Sequence, residues 1–127
     1  MTAEGTFEVK ITQKNLEGED QSIALMQLDK TFSGDLAATS KGQMLSAGTV
    51  TKGSAGYVAI EKVIGKLKDL EGSFILQHNA TMDKGKPELQ IIVIPDSGTG
   101  QLIGISGKMD IIIENGKHSY KFDYKMN

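Results

Sequence analysis

Residues 98–107, Gly-Thr-Gly-Gln-Leu-Ile-Gly-Ile-Ser-Gly, restrict this chain more than any other stretch. Four glycines in ten residues require a backbone that turns tightly or runs close to its neighbours. Leu102, Ile103 and Ile105 lie between them, so the segment also carries apolar side chains. It separates one apolar strand pattern, Leu89–Pro95, from the last two, Lys108–Glu114 and Lys117–Lys125. Gly98, Thr99, Gly100, Leu102, Gly104 and Gly107 are expected to frame a short plug across one end of a closed β-barrel.

The rest of the chain supplies the strands for such a barrel. Thr6–Gln13 alternates apolar and polar residues, which marks a half-buried strand with Phe7, Val9 and Ile11 facing in. Asn15–Gln21 reads as a polar, acidic loop. Ser22–Phe32, Leu36–Ala47, Gly56–Leu67, Leu70–Met82 and Glu88–Ile94 read as the next five strands. Ser33–Asp35, Gly48–Ala55, Lys68–Gly72 and Asp83–Pro87 are the connections between them. Asn115-Gly116 joins the last two strands and is the strongest short hairpin signal present. Eight strands, short turns and no helical periodicity predict an all-β, closed, eight-stranded antiparallel barrel occupying residues 1–127 as one domain. An interior of that size holds side chains or one small ligand.

Several strands are apolar on both faces. Tyr57, Ala59, Val63 and Leu67 share one side of the fourth strand, while Val58, Ile60 and Ile64 share the other. Ile91–Ile94 and Ile111–Ile113 repeat the pattern. A barrel by itself buries only one face of each strand. The surplus therefore predicts a homo-oligomer in which copies cover one another.

Composition narrows the function classes. A net charge of −2, with lysines spread along the strands, recommends no nucleic-acid partner. No apolar run approaches membrane-spanning length. The start of the chain enters a strand pattern with no signal-peptide character, so a cytoplasmic location is expected. There is no cysteine and there are only two histidines, so neither a cofactor nor a metal centre is expected. Gly98-Thr99-Gly100 is no dinucleotide fingerprint, because position 103 is Ile and no helix follows.

Two polar residues interrupt apolar rows. Glu61 stands among Tyr57, Ala59 and Val63, and His78 stands among Phe74, Leu76, Ala80 and Met82. A four-residue turn between these strands would set Glu61 directly opposite His78, and a two-residue turn would set them diagonally. Either way they lie on one face, about 4.5–8 Å apart. A buried carboxylate beside an imidazole suits acid–base work. It suits equally a structural pair in which each group offsets the burial cost of the other, and that reading is preferred. Tyr57, one step along the same face, is placed to hydrogen-bond a ligand oxygen. Tyr120, Phe122 and Tyr124 line one face of the last strand, as core or as the aromatic wall of a ligand cavity. His118, beside the last turn, reads as exposed.

Gly98-Thr99-Gly100-Gln101-Leu102, followed by Gly107, resembles the Gly-Thr-Gly-x-(Phe/Leu) element of plant allene oxide cyclases and dirigent proteins. A larger share of the chain resembles a bacterial family of uncharacterised domains built on the same barrel. The matching pieces are Leu28-Asp29-Lys30-Thr31-Phe32-x-Gly34-Asp35-Leu36, Gly53-Ser54-Ala55-Gly56-Tyr57-Val58-Ala59, Gly72-Ser73-Phe74-x-Leu76-Gln77-His78, Met82-Asp83 and Pro95-x-Ser97-Gly98-Thr99-Gly100. The resemblance implies a calycin-like, allene oxide cyclase-like barrel, in a family without an assigned reaction. The cyclase's catalytic residues have no counterpart outside the glycine element. The arginine-rich pattern of dirigent proteins is missing too, since Ile103, Gly104 and Ile105 follow Leu102.

The leading expectation is a barrel that binds a small, mostly apolar molecule, oriented by Tyr57, Glu61 and His78 with Tyr120, Phe122 and Tyr124 as further lining. One alternative is a cofactor-free cyclase or isomerase with Glu61 and His78 as acid and base. Another is a filled barrel that acts through contacts with other proteins.

Overall fold

Alternation of apolar and polar residues commits most of this chain to strands that bury one face. The computed structural model describes residues 1–14 and 22–127. The acidic loop expected at 15–21 lies outside the described residues. The strands are β1 (Thr2–Lys14), β2 (Ile23–Gly34), β3 (Leu36–Gly48), β4 (Ala55–Leu67), β5 (Leu70–Asp83), β6 (Lys86–Val93), β7 (Thr99–Gly100), β8 (Ser106–Glu114) and β9 (Lys117–Lys125). Strands β1 to β6 pair in sequence order, β6 meets β8, β8 pairs β9, and β9 returns to β1. All these pairings are antiparallel, so the ring is the expected closed eight-stranded barrel, with β7 lying outside it against β5.

Turn chemistry sets the registers. Asn115 and Gly116 both have positive φ, 52° and 76°, the mirror-image turn that matches the twist of paired strands. Lys84 and Gly85 do the same between β5 and β6, which narrows the turn expected over Asp83–Pro87 to its two central residues. Between β4 and β5, Leu67 pairs with Leu70, so Lys68-Asp69 is a two-residue turn rather than the longer Lys68–Gly72 connection. β1 starts four residues before the expected strand, and Thr2–Thr6 pairs with Asp123–Ser119 to close the ring.

The glycine-rich segment forms a plug with a second task. β6 pairs with β5 only from Leu76 onward, which leaves the first part of β5 with just the two-residue β7 on that side. The segment covers that stretch with side chains. Gln101 Oε1 accepts from the Glu71 amide at 2.9 Å, Thr99 Oγ1 from Ser73 at 3.1 Å and Ser97 Oγ from Ile75 at 3.0 Å. Three alternate amides of a strand edge are thereby satisfied without a full strand. Leu102 and Ile105 then turn inward, and both are buried.

Packing divides the interior into two halves. Toward the plug it is filled by Leu36, Val63, Leu67, Phe74, Leu102 and Phe122, and every one of these is essentially inaccessible to water. Phe122 stacks between Phe74 at 5.6 Å and Tyr124 at 5.3 Å. Burial of each such side chain contributes about 1.5–3 kcal/mol. Toward the other end, inward residues become progressively exposed. Along β1, Phe7 is buried, Val9 is half-buried and Ile11 is exposed. Along β5, His78 is buried, Ala80 is half-buried and Met82 is exposed.

The outer face carries the surplus apolar residues anticipated from the doubly apolar strands. Leu25, Leu45 and Val58 lie in one register row that continues to Asn79, and Gln27, Gln43, Ile60 and Gln77 form the next. Val58 and Ile60 are both about half exposed, at 52% and 53%. These two rows hold no charged residue.

Candidate functional site

At mid-height the packed interior gives way to a polar layer. Glu61 lies opposite Leu76 on β5, and Ala59 lies opposite His78. The two-residue turn therefore makes Glu61 and His78 diagonal neighbours, the second of the two arrangements derived from the sequence. His78 Nε2 lies 2.5 Å from Glu61 Oε2. On its other side Glu61 faces Gly42 of β3. A side chain there would crowd the Glu61 Cβ, since a Cβ on Gly42 would come within 2.7 Å of it. That vacancy lets the Glu61 carboxylate lean over β3 toward β2.

There stand Lys30 and Ser40, paired in one register row of β2 and β3. Lys30 Nζ donates to Glu61 Oε2 at 2.8 Å, and Ser40 Oγ donates to Oε1 at 2.7 Å. Lys30 also lies 5.2 Å from the Phe7 ring centroid and 5.9 Å from that of Phe32. All four polar residues are buried, and Glu61 is 0% exposed. Sequence reasoning found Glu61 and His78 and missed Lys30 and Ser40. The signal for Lys30 was available, because it interrupts the inward row Leu28-x-Lys30-x-Phe32 as Glu61 interrupts its own.

This arrangement controls charge. Burial alone would push the Glu61 carboxyl up. The His78 hydrogen bond, the Lys30 charge, the His78 charge and the Lys30 hydrogen bond outweigh it and hold the group at about 2. Glu61 is thus an anion at neutral pH, ion-paired to Lys30. Its oxygens are taken up by three donors. His78 differs, because its Nδ1 is buried and has no hydrogen-bond partner among the described residues. An unpaired buried polar atom costs about 1–3 kcal/mol.

Tyr57 forms the boundary between this layer and the open end. Its ring centroid is 6.2 Å from that of His78, and burial followed by the Glu61 charge pushes its hydroxyl pKa up, so it stays neutral. Beyond Tyr57 the barrel mouth is an open recess of about 480 Å³. Met44, Tyr57, Ala80, Met82, Leu89 and Ile113 line it, and the lining is mostly apolar.

Tyr120, Phe122 and Tyr124 occupy the filled half, away from the recess. Tyr120 Oη donates to the Ser33 carbonyl at 2.8 Å and accepts from the Leu36 amide at 2.9 Å, tying β9 to the β2–β3 turn. In this structure the three rings are core. His118 is half-buried rather than exposed, because its ring packs on Phe7 at 5.2 Å.

Fold and site together define a class: a closed eight-stranded antiparallel barrel with a filled end, an ion-paired polar waist and an apolar mouth. Residues 3–124 match the model of the family described as "Protein of unknown function (DUF3224)", and the chain belongs to that family. It is 48% identical to a protein of unknown function from the same family, from Shewanella oneidensis MR-1, whose crystal structure superposes with a TM-score of 0.95. That alignment covers 100% of this chain and 97% of the other. No curated protein matches the chain.

Proposed function

We propose that this barrel is a binding module whose mouth takes up one small, mostly apolar molecule above the Lys30–Glu61–His78 waist. The observation that carries the reading is an apolar recess walled by Tyr57, behind whose ring lies His78 with an unused buried nitrogen. Ligand sites commonly have this form, apolar walls with few polar groups at fixed positions. Met44 and Met82 add side chains that adapt to varied shapes. Glu61, held ionised, serves as an anchor for Lys30 and His78 rather than as a proton shuttle, which favours binding over the acid–base alternative.

The test is native mass spectrometry of freshly purified protein beside an Ala80→Trp variant, whose indole would occupy the recess. Wild type is expected to carry, or to take up from an apolar compound library, species of a few hundred daltons that the variant excludes. Equal uptake by both, or none by either, would count against the recess.

The outer face supports a companion reading, a homo-oligomer in which a second copy covers the uncharged rows around Leu45, Val58 and Ile60. Identical surfaces without charge meet without like-charge repulsion. Beside these rows lie Asp29 and the Lys41–Lys62 pair, opposite charges that a second copy can match across a two-fold axis.

A further inference from the structure

One nitrogen of His78 is engaged and the other is not. A carboxylate oxygen can only accept, so Nε2 carries the proton of its bond to Glu61 Oε2. In the neutral ring Nδ1 then presents a bare lone pair, and that atom is buried without a partner among the described residues. The charged and titratable groups around the ring are Glu61 and Tyr57 of β4 and Lys30 of β2. Lys30 and Ser40 already donate to Glu61. Lys30 and Glu61 also cancel in charge, so with a neutral His78 ring the waist offers a molecule that passes Tyr57 a hydrogen-bond acceptor and no net charge.

Resting on the recess proposed above, we infer that the molecule taken up is apolar with one uncharged hydrogen-bond donor at its end, a hydroxyl or an amide N–H, and that His78 Nδ1 accepts from it. A ketone, ester or ether would set lone pair against lone pair. A carboxylate would require a protonated His78, a second positive charge beside Lys30 in a buried layer. Tyr57 stands between the recess and the ring, so entry of the donor displaces its side chain. The pairing discriminates sharply because a site with a buried polar group rejects ligands that leave it unpaired.

The probes are octanol, its isomer methyl heptyl ether, and octanoate, titrated calorimetrically into wild type, Tyr57→Phe and His78→Phe. Octanol and the ether have the same atoms and differ in the donor alone. Octanol is expected to bind about tenfold tighter than the ether to wild type and Tyr57→Phe, and equally to His78→Phe. Nitrogen NMR of wild type gives a readout that needs no variant. The His78 Nδ1 resonance is expected to move from that of a bare lone pair toward that of a hydrogen-bonded one with octanol, and to stay in place with the ether. Equal affinity for the isomers overturns this inference and leaves the recess standing. Tightest binding of octanoate, weakening as pH rises, overturns it in favour of a charged His78. Failure of all three probes to bind removes the inference together with the recess reading.

Discussion

Glu61 sets the behaviour of the waist because its charge is more stable folded than free. Its carboxyl lies at about 2 in the folded chain against an ordinary 4.5. A depressed carboxyl stabilises the fold fully above the ordinary value, and that contribution is lost as pH falls from about 4.5 through about 2. The difference corresponds to on the order of 3 kcal/mol. Urea melts from neutral to strongly acid pH are expected to show this loss in wild type and a smaller acid slope in Glu61→Gln. Lys30→Met keeps the apolar stem against Phe7 and Phe32 but strands the carboxylate, and is expected to cost about 3–5 kcal/mol at neutral pH. A variant as stable as wild type would show that Lys30 contributes little to the anchor. The two interrupted rows of β4 and β5 were legible as sequence. Lys30 was not read, because the other lysines of the chain alternate outward and it was grouped with them. Ser40 could not be read, since a serine in a row of small residues carries no mark of its own.

The glycine-rich segment shows why an element need not be regular to be well determined. Gly98 has no room for a side chain, since a Cβ there would collide with the Leu102 carbonyl oxygen. Gly98→Ala is therefore expected to lift the segment from β5 and to cost about 2–3 kcal/mol. Hydrogen exchange gives the matching signature, faster exchange at the Glu71, Ser73 and Ile75 amides than elsewhere in β5. Unchanged protection at those three amides would dissociate the plug from the strand edge. The presence of a plug followed from glycine spacing and the apolar residues within it. Its alternate hydroxyl and amide contacts with β5 did not, because they depend on how far β6 extends along the same edge. Turns behaved alike. Asn115-Gly116 specifies its own geometry, whereas the length of the β4–β5 turn was settled by Leu67 and Leu70 pairing across it.

On the scale of the molecule, the proposed assembly would cover the apolar rows of the outer face. Sedimentation at micromolar concentration is expected to show an oligomer of wild type, and Ile60→Lys is expected to shift it toward monomer without loss of fold. A monomeric wild type would sink the proposed assembly. The amino-acid sequence by itself determined most strand positions, their inward faces, the Asn115-Gly116 turn and the plug, because those follow from local alternation and backbone sterics within a few residues. The tertiary structure alone decided which intruding polar groups converge. Lys30, Ser40, Glu61 and His78 come from four strands, and their meeting depends on registers accumulated across three pairings and on the space left by Gly42. It decided also where packing ends. Tyr120, Phe122 and Tyr124 became core and Tyr57 became the rim of a recess because the plug fills one end of the closed ring and no counterpart among the described residues fills the other.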